Sequence, residues 1–123
     1  MRPTLAIDID EVLSETNQYI LELLAVEHGI FLEYHNLNHH WFPNISGFPF
    51  DGPTTIQLFR EFLSRPASLD ISPVSRAFDG LQQLQLAGIR LIALTARHQS
   101  IESSTKSWLS KNFPNIFEDV YFL

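Results

Sequence analysis

The chain contains no cysteine, which excludes disulfide frameworks, Cys–zinc sites, thiolate nucleophiles and Cys-held clusters. Positive charge is scarce. Eight Lys and Arg stand against fourteen Asp and Glu, a net charge of −6, which argues against a nucleic-acid binder driven by a general positive field. A local phosphate site remains compatible with that balance. No stretch reaches the roughly 18 consecutive apolar residues of a membrane helix. The N-terminal apolar run is broken by Asp8 and Asp10, unlike a signal peptide. The expectation is a cytoplasmic protein with neither a membrane nor a nucleic acid as partner. With 123 residues, 45% hydrophobic and 18% charged, the chain has the material for a real core in one domain, 1–123, and little room for a second. It has no internal repeat and no low-complexity tract.

What is present follows a rhythm with one interruption. Thr4 to Ile9 reads as a strand, and its continuous apolar run suits burial on both faces of a parallel sheet. A helical pattern begins near Glu15, carries Ile20, Leu23 and Leu24 on one side, and stops at Gly29. Residues 30–73 break the pattern with five prolines and most of the aromatics. One helix is expected inside this stretch, from Thr54 to about Ser64, with Thr54 and Gln57 at capping-box spacing. The stretch is too apolar for a linker and reads as a small cap-like insertion. Helical periodicity returns from Ser75 to Gly88, and Ile89–Leu94 is the clearest strand. A helix follows with Ile101, Thr105 and Trp108 on its inner face, and Glu118–Leu123 reads as a last strand. The order predicts an α/β fold: a Rossmann-like open parallel sheet of three strands with helices on both faces.

In such sheets ligands bind at the carboxyl ends of the strands. Two clusters fall there: Asp8-Ile9-Asp10-Glu11-Val12-Leu13 after the first strand, and Leu94-Thr95-Ala96-Arg97 after the second. Two Asp separated by one residue point the same way while the chain is extended. Side by side they repel unless a cation lies between them, and hard oxygen ligands suit Mg²⁺. One carboxylate can attack a phosphoryl group while a second acid serves the leaving oxygen and then water. Thr95 offers a hydroxyl and an N–H to phosphate, and Arg97 offers charge-assisted bonds. The plainer alternative is that the Asp pair is only a turn and capping device.

These two motifs resemble those of the haloacid dehalogenase (HAD) superfamily of phosphohydrolases. Asp8-Ile9-Asp10 is similar to its first motif, and Leu91–Arg97 to its second, a Ser or Thr that ends the next strand. The Thr95-Ala96-Arg97 form, the Glu11-Val12-Leu13 continuation, Ser72-Pro73-Val74 and Thr105–Leu109 look most like the 5′-nucleotidase-like branch. The resemblance implies a Rossmann-like sheet with a cap inserted after the first motif. It implies Asp8 as nucleophile, Asp10 as general acid/base, and Thr95, with Ala96 and Arg97, as phosphate holder. Mg²⁺ would sit on the Asp8 carboxylate and the Asp10 backbone carbonyl. The implied partner is a small phosphorylated substrate.

The chain departs from the family pattern as if shortened at its C-terminus. The family's third motif, a Lys, and its fourth, an acidic pair, have no counterpart up to Leu123. Lys106 and Lys111 are candidates for the missing charge, although a solvated helix face is their plainer role. Asp119 starts the last strand at its wrong end. Weak metal binding and reduced turnover are therefore expected unless another chain or a longer form completes the site. The alternative function is an impaired HAD-like remnant that binds phosphate or a partner. A receiver domain is disfavoured by the aromatic insertion. The first strand would be an exposed sheet edge, and such an edge invites a homodimer. Among other residues, His35, His39 and His40 form a His-rich patch better read as lid surface than as a metal site. Arg60 and Arg65 on the insertion helix either touch substrate or solvate it. His98 caps or approaches phosphate, and Glu11 alters the polarity beside the site.

Overall fold

The computed structural model describes residues 2–37 and 41–123. Its elements in chain order are β1 (Thr4–Ile7), α1 (Thr16–His28), α2 (Gly52–Ser64), α3 (Ala77–Leu86), β2 (Arg90–Thr95), α4 (Glu102–Asn112) and β3 (Asp119–Phe122). Short 3₁₀ turns lie at Tyr34–Asn36, Phe42–Asn44, Pro66–Asp70 and Gln99–Ile101. The three strands form one parallel sheet in the order β1-β2-β3, with Ile7 opposite Ala93 and Thr95 opposite Phe122. The sheet is thus the expected α/β, Rossmann-like arrangement, and it sets the ends of β1 and β2 side by side.

The helices cover the two faces of this sheet unequally. Leu91, Ala93 and Thr95 are buried, and Leu91 and Ala93 pack with Leu81, Trp108, Leu109 and Phe113 from the helical layer and the turn after α4. Trp108 lies in this core as its spacing predicts, and its Nε1–H donates to the Ile71 carbonyl at 2.9 Å. The alternate positions of β2, Ile92 and Leu94, are only half-buried, and their register partners Ala6 and Tyr121 are exposed. Register partners in parallel strands share a face. One face of the sheet therefore carries the core, and the expectation of helices on both faces is met on that one among the described residues. For the same reason β1 is not buried on both faces. Among the described residues it pairs with β2 alone, and Leu5 is 41% exposed.

β1 also ends two residues earlier than its apolar run suggests. The Ile9 carbonyl accepts the N–H groups of Leu13 and Ser14 at 2.8 and 3.0 Å, which curls the chain into a tight loop directly after Asp8. The start of α2 shifts in the opposite sense. Asp51, not Thr54, is the cap: its Oδ1 accepts the Thr54 N–H at 2.8 Å, and Pro53 fits the first turn, where a missing N–H costs nothing. α3 begins at Ala77 rather than Ser75, because Arg76 before it adopts a left-handed backbone with φ 67°.

A second core joins α1 to the aromatic stretch. Ile20, Leu21 and Leu24 meet Phe42 and Phe62, with Phe42 edge-on to Phe59 at 4.9 Å between ring centres. Tyr19 touches both cores and donates to the Phe62 carbonyl at 2.6 Å. Arg65 ties α2 to α1 through Glu27 and also pairs with Glu61. The whole excursion is stitched at its base, where the Val74 N–H meets the Leu13 carbonyl at 2.8 Å and the Glu15 N–H meets that of Ser72 at 2.9 Å.

Candidate active site

The loop from Asp8 to Ser14 places the paired acids differently. Asp8 follows β1 directly and is exposed, and its Oδ1 accepts the N–H of Ile9 at 2.7 Å. Asp10 turns into the molecule. Its Oδ1 accepts from Thr16 Oγ1 at 2.5 Å and from Arg97 Nη2 at 2.7 Å, while Arg97 Nε lies 3.2 Å from both carboxylate oxygens. The Asp10 side chain remains 35% exposed and that of Arg97 only 6%.

Arg97 therefore sits where the motif predicts but acts on a different group. Its guanidinium faces Asp10, not an open phosphate position, and its Nη1 also donates to Thr105 Oγ1 at 3.3 Å. The preceding turn explains this direction. Thr95, 1% exposed, accepts the Arg97 N–H on its Oγ1 at 3.1 Å, which folds the chain back over the end of β2. Ala96 is exposed at the mouth of a cleft of about 430 Å³ that Asp10, Arg97 and His98 also line. The His98 Nδ1 accepts the Ser100 N–H at 3.0 Å and so caps the turn before α4.

Glu11 is drawn into the same loop. It has a left-handed backbone, φ 64°, a conformation that costs a non-glycine residue about 1–3 kcal/mol and has to be held by its surroundings. Its Oε1 accepts the Asn17 N–H at 2.6 Å at the start of α1, and its Oε2 accepts Tyr34 O–H at 2.7 Å. The Tyr34 hydroxyl consequently titrates above its ordinary range, because ionising it would break that bond and set a second negative charge beside Glu11. A segment of the aromatic stretch is thereby attached to the loop that carries the acids.

Several residues named by the sequence lie elsewhere. Lys106 pairs with Glu102 at 2.9 Å within α4, and Lys111 pairs with Asp70 at 3.2 Å. Asp119 bonds the N–H of Val120 at 2.8 Å, at the far end of β3. His35 pairs with Glu33, whereas His39 and His40 lie outside the described residues. Sequence reasoning missed Thr16, which holds Asp10, because a hydroxyl near a helix start is too common to single out, and it placed Thr105 on the inner face of its helix without the bond to Arg97. It also missed Trp41, Ile56 and Phe59 as walls of the cleft. No group of three or more His, Asp or Glu side chains is gathered for a metal among the described residues.

Fold and site together define an α/β, Rossmann-like chain with its acids at the carboxyl edge of the sheet. The chain superposes on the magnesium-bound crystal structure of YfnB from Bacillus subtilis, a proposed HAD-hydrolase, with a TM-score of 0.58 and 18% identity. The match covers 99% of this chain and 66% of that one, so the chain spans somewhat less than two thirds of its neighbour's length. No family model and no curated protein matches the sequence.

Proposed function

We propose that the protein is a Mg²⁺-dependent phosphohydrolase of the 5′-nucleotidase-like HAD type. Its substrate is a small phosphomonoester, its intermediate an aspartyl-phosphate, and residues 30–73 form its cap. The observation that carries the reading is the division of labour between the paired acids. Asp8 is exposed at the end of β1 and free to attack, while Asp10 is oriented two residues away by Arg97 and Thr16 beside an open cleft.

An Asp8 oxygen attacks the phosphorus, the ester P–O bond breaks, and the departing oxygen takes up a proton that Asp10 relays from solvent. Water then attacks the phosphorus of the aspartyl-phosphate and gives its proton to Asp10. The Asp8 oxygen leaves with its electron pair, and phosphate is released. The clasp of Arg97 and Thr16 fixes the Asp10 side chain in place for both proton transfers. Thr95 and Ala96 shape the strand end on which the phosphoryl group rests. The donor set fits two positions of a Mg²⁺ shell: the Asp8 carboxylate, and the Asp10 carbonyl oxygen, which accepts no hydrogen bond among the described residues. A bound Mg²⁺ would neutralise charge between Asp8 and the phosphoryl oxygens.

Hydrolysis of an aryl phosphate by the purified chain, with and without Mg²⁺, tests the reading. Turnover should need the metal and fall by at least about 10³-fold in Asp8→Asn. Equal rates in wild type and variant would refute it. Phosphate binding without turnover in either would favour the binding module instead.

A further inference from the structure

The cleft beside Asp10 has two unlike walls. Asp10, Arg97 and His98 form one; Trp41, Ile56 and Phe59 form the other, with Arg60 of α2 among them. Its volume of about 430 Å³ suits a small organic molecule. Gly52 helps to shape the apolar wall, since a Cβ there would lie 3.3 Å from the Trp41 ring.

Arg60 is unlike the arginines around it. Arg2, Arg65, Arg90 and Arg97 each have a carboxylate partner. Arg60 forms no ion pair among the described residues, and neither does Arg76, which is exposed. The Nε of Arg60 is the one buried side-chain polar atom without a hydrogen-bond partner among the described residues. Buried polar groups are nearly always satisfied, and a guanidinium is built for carboxylate or phosphate. The Nε itself is closed to solvent, but Arg60 as a whole is half-buried on the wall of the cleft, and its guanidinium, amid aromatic and aliphatic side chains and without a carboxylate partner among the described residues, is placed to bond a ligand there.

We propose that Arg60 is the specificity residue of the site. It binds a second anionic group, carboxylate or phosphate, on the leaving portion of the substrate, whose apolar body lies against Trp41 and Phe59. The substrate class is thus a phosphomonoester with two anionic ends. This rests on the phosphohydrolase reading for the identity of the first end, and on Arg60 alone for the second.

Two readouts test it separately. The first is the ratio of kcat/KM for 4-carboxyphenyl phosphate to that for phenyl phosphate, with 1,4-phenylene bisphosphate in place of the carboxylate in a second arm. Wild type should prefer at least one doubly anionic substrate by about tenfold or more, as loss of a charge-assisted pair implies. Arg60→Ala, and the length-preserving Arg60→Gln, should bring that ratio towards one. The second readout needs no turnover. In Asp8→Asn protein, tryptophan fluorescence follows binding of 4-(phosphonomethyl)benzoate, of its bisphosphonate counterpart and of benzylphosphonate. The same preference and the same dependence on Arg60 are expected. No preference for either doubly anionic probe, or a preference that survives both Arg60 variants, overturns the proposal. Absence of turnover with an intact Arg60-dependent binding preference would instead refute the phosphohydrolase reading and leave the subsite standing.

Discussion

Asp10 and Arg97 are separated by 87 positions in sequence, yet they share a 2.7 Å contact. The pair is asymmetric in burial, with 6% of the Arg97 side chain and 35% of the Asp10 side chain exposed. Removing one partner of such a pair leaves the other charge partly desolvated and uncompensated, a cost tempered here by the water that reaches Asp10. Arg97→Ala should therefore lower stability by about 1–3 kcal/mol in urea unfolding and release the Asp10 side chain. Arg97→Lys should recover only part of the loss, because a single ammonium cannot reproduce the contacts of Nε and Nη2. Stability unchanged in Arg97→Ala would mean that the clasp does not hold the loop.

Among the elements, those with strong periodicity or a sharp stop were legible in the sequence. α1 ends at Gly29, whose φ of 65° suits glycine, and β2 and β3 lie within a residue or two of their expected bounds. The misreadings share a physical origin, because local chemistry was read without its tertiary partners. The apolar run Leu5–Ile7 suits a strand buried on both faces, but at the edge of the sheet, the place expected for it, Leu5 stays 41% exposed. Thr54 and Gln57 have capping-box spacing, but Asp51 and Pro53 are the stronger start signals. The positions of Asp8, Asp10, Thr95 and Arg97 at the strand ends were legible, whereas the direction of the Arg97 guanidinium was not, since it depends on how the turn after Thr95 folds back. For α2, its bond to Thr54 holds the Asp51 carboxyl below its ordinary value of 3.8. The contribution of a lowered acid is complete above that ordinary value and is lost as pH falls through the lower folded one. Asp51→Ala should thus lower the melting temperature by about 3–5 °C near neutral pH. The difference from wild type should shrink once the pH drops below 3.8. A difference that persists in strong acid would contradict the cap assignment.

At the scale of the whole molecule, the two cores divide the work. One supports the sheet, the other fixes α1 and the aromatic stretch against each other, and the stitch between Leu13 and Val74 joins them below the site. What the fold leaves open is the outer edge of β1 and the sheet face of Ala6, Ile92 and Tyr121. We propose that this edge pairs with a second copy of the chain, since an uncovered strand presents free N–H and C=O groups. Light scattering should then give a dimer at high concentration, and Ala6→Pro, at a position whose N–H points away from β2, should shift it to monomer; a monomer throughout would remove the proposal. In the proposed mechanism Asp8 takes the phosphoryl group. The most direct measurement is transfer of radioactive phosphorus from a labelled phosphomonoester to the chain, quenched during turnover with Mg²⁺. Acid-stable, hydroxylamine-labile label on wild type and none on Asp8→Asn is the predicted result, and equal labelling of both, or turnover with no label on either, would contradict it.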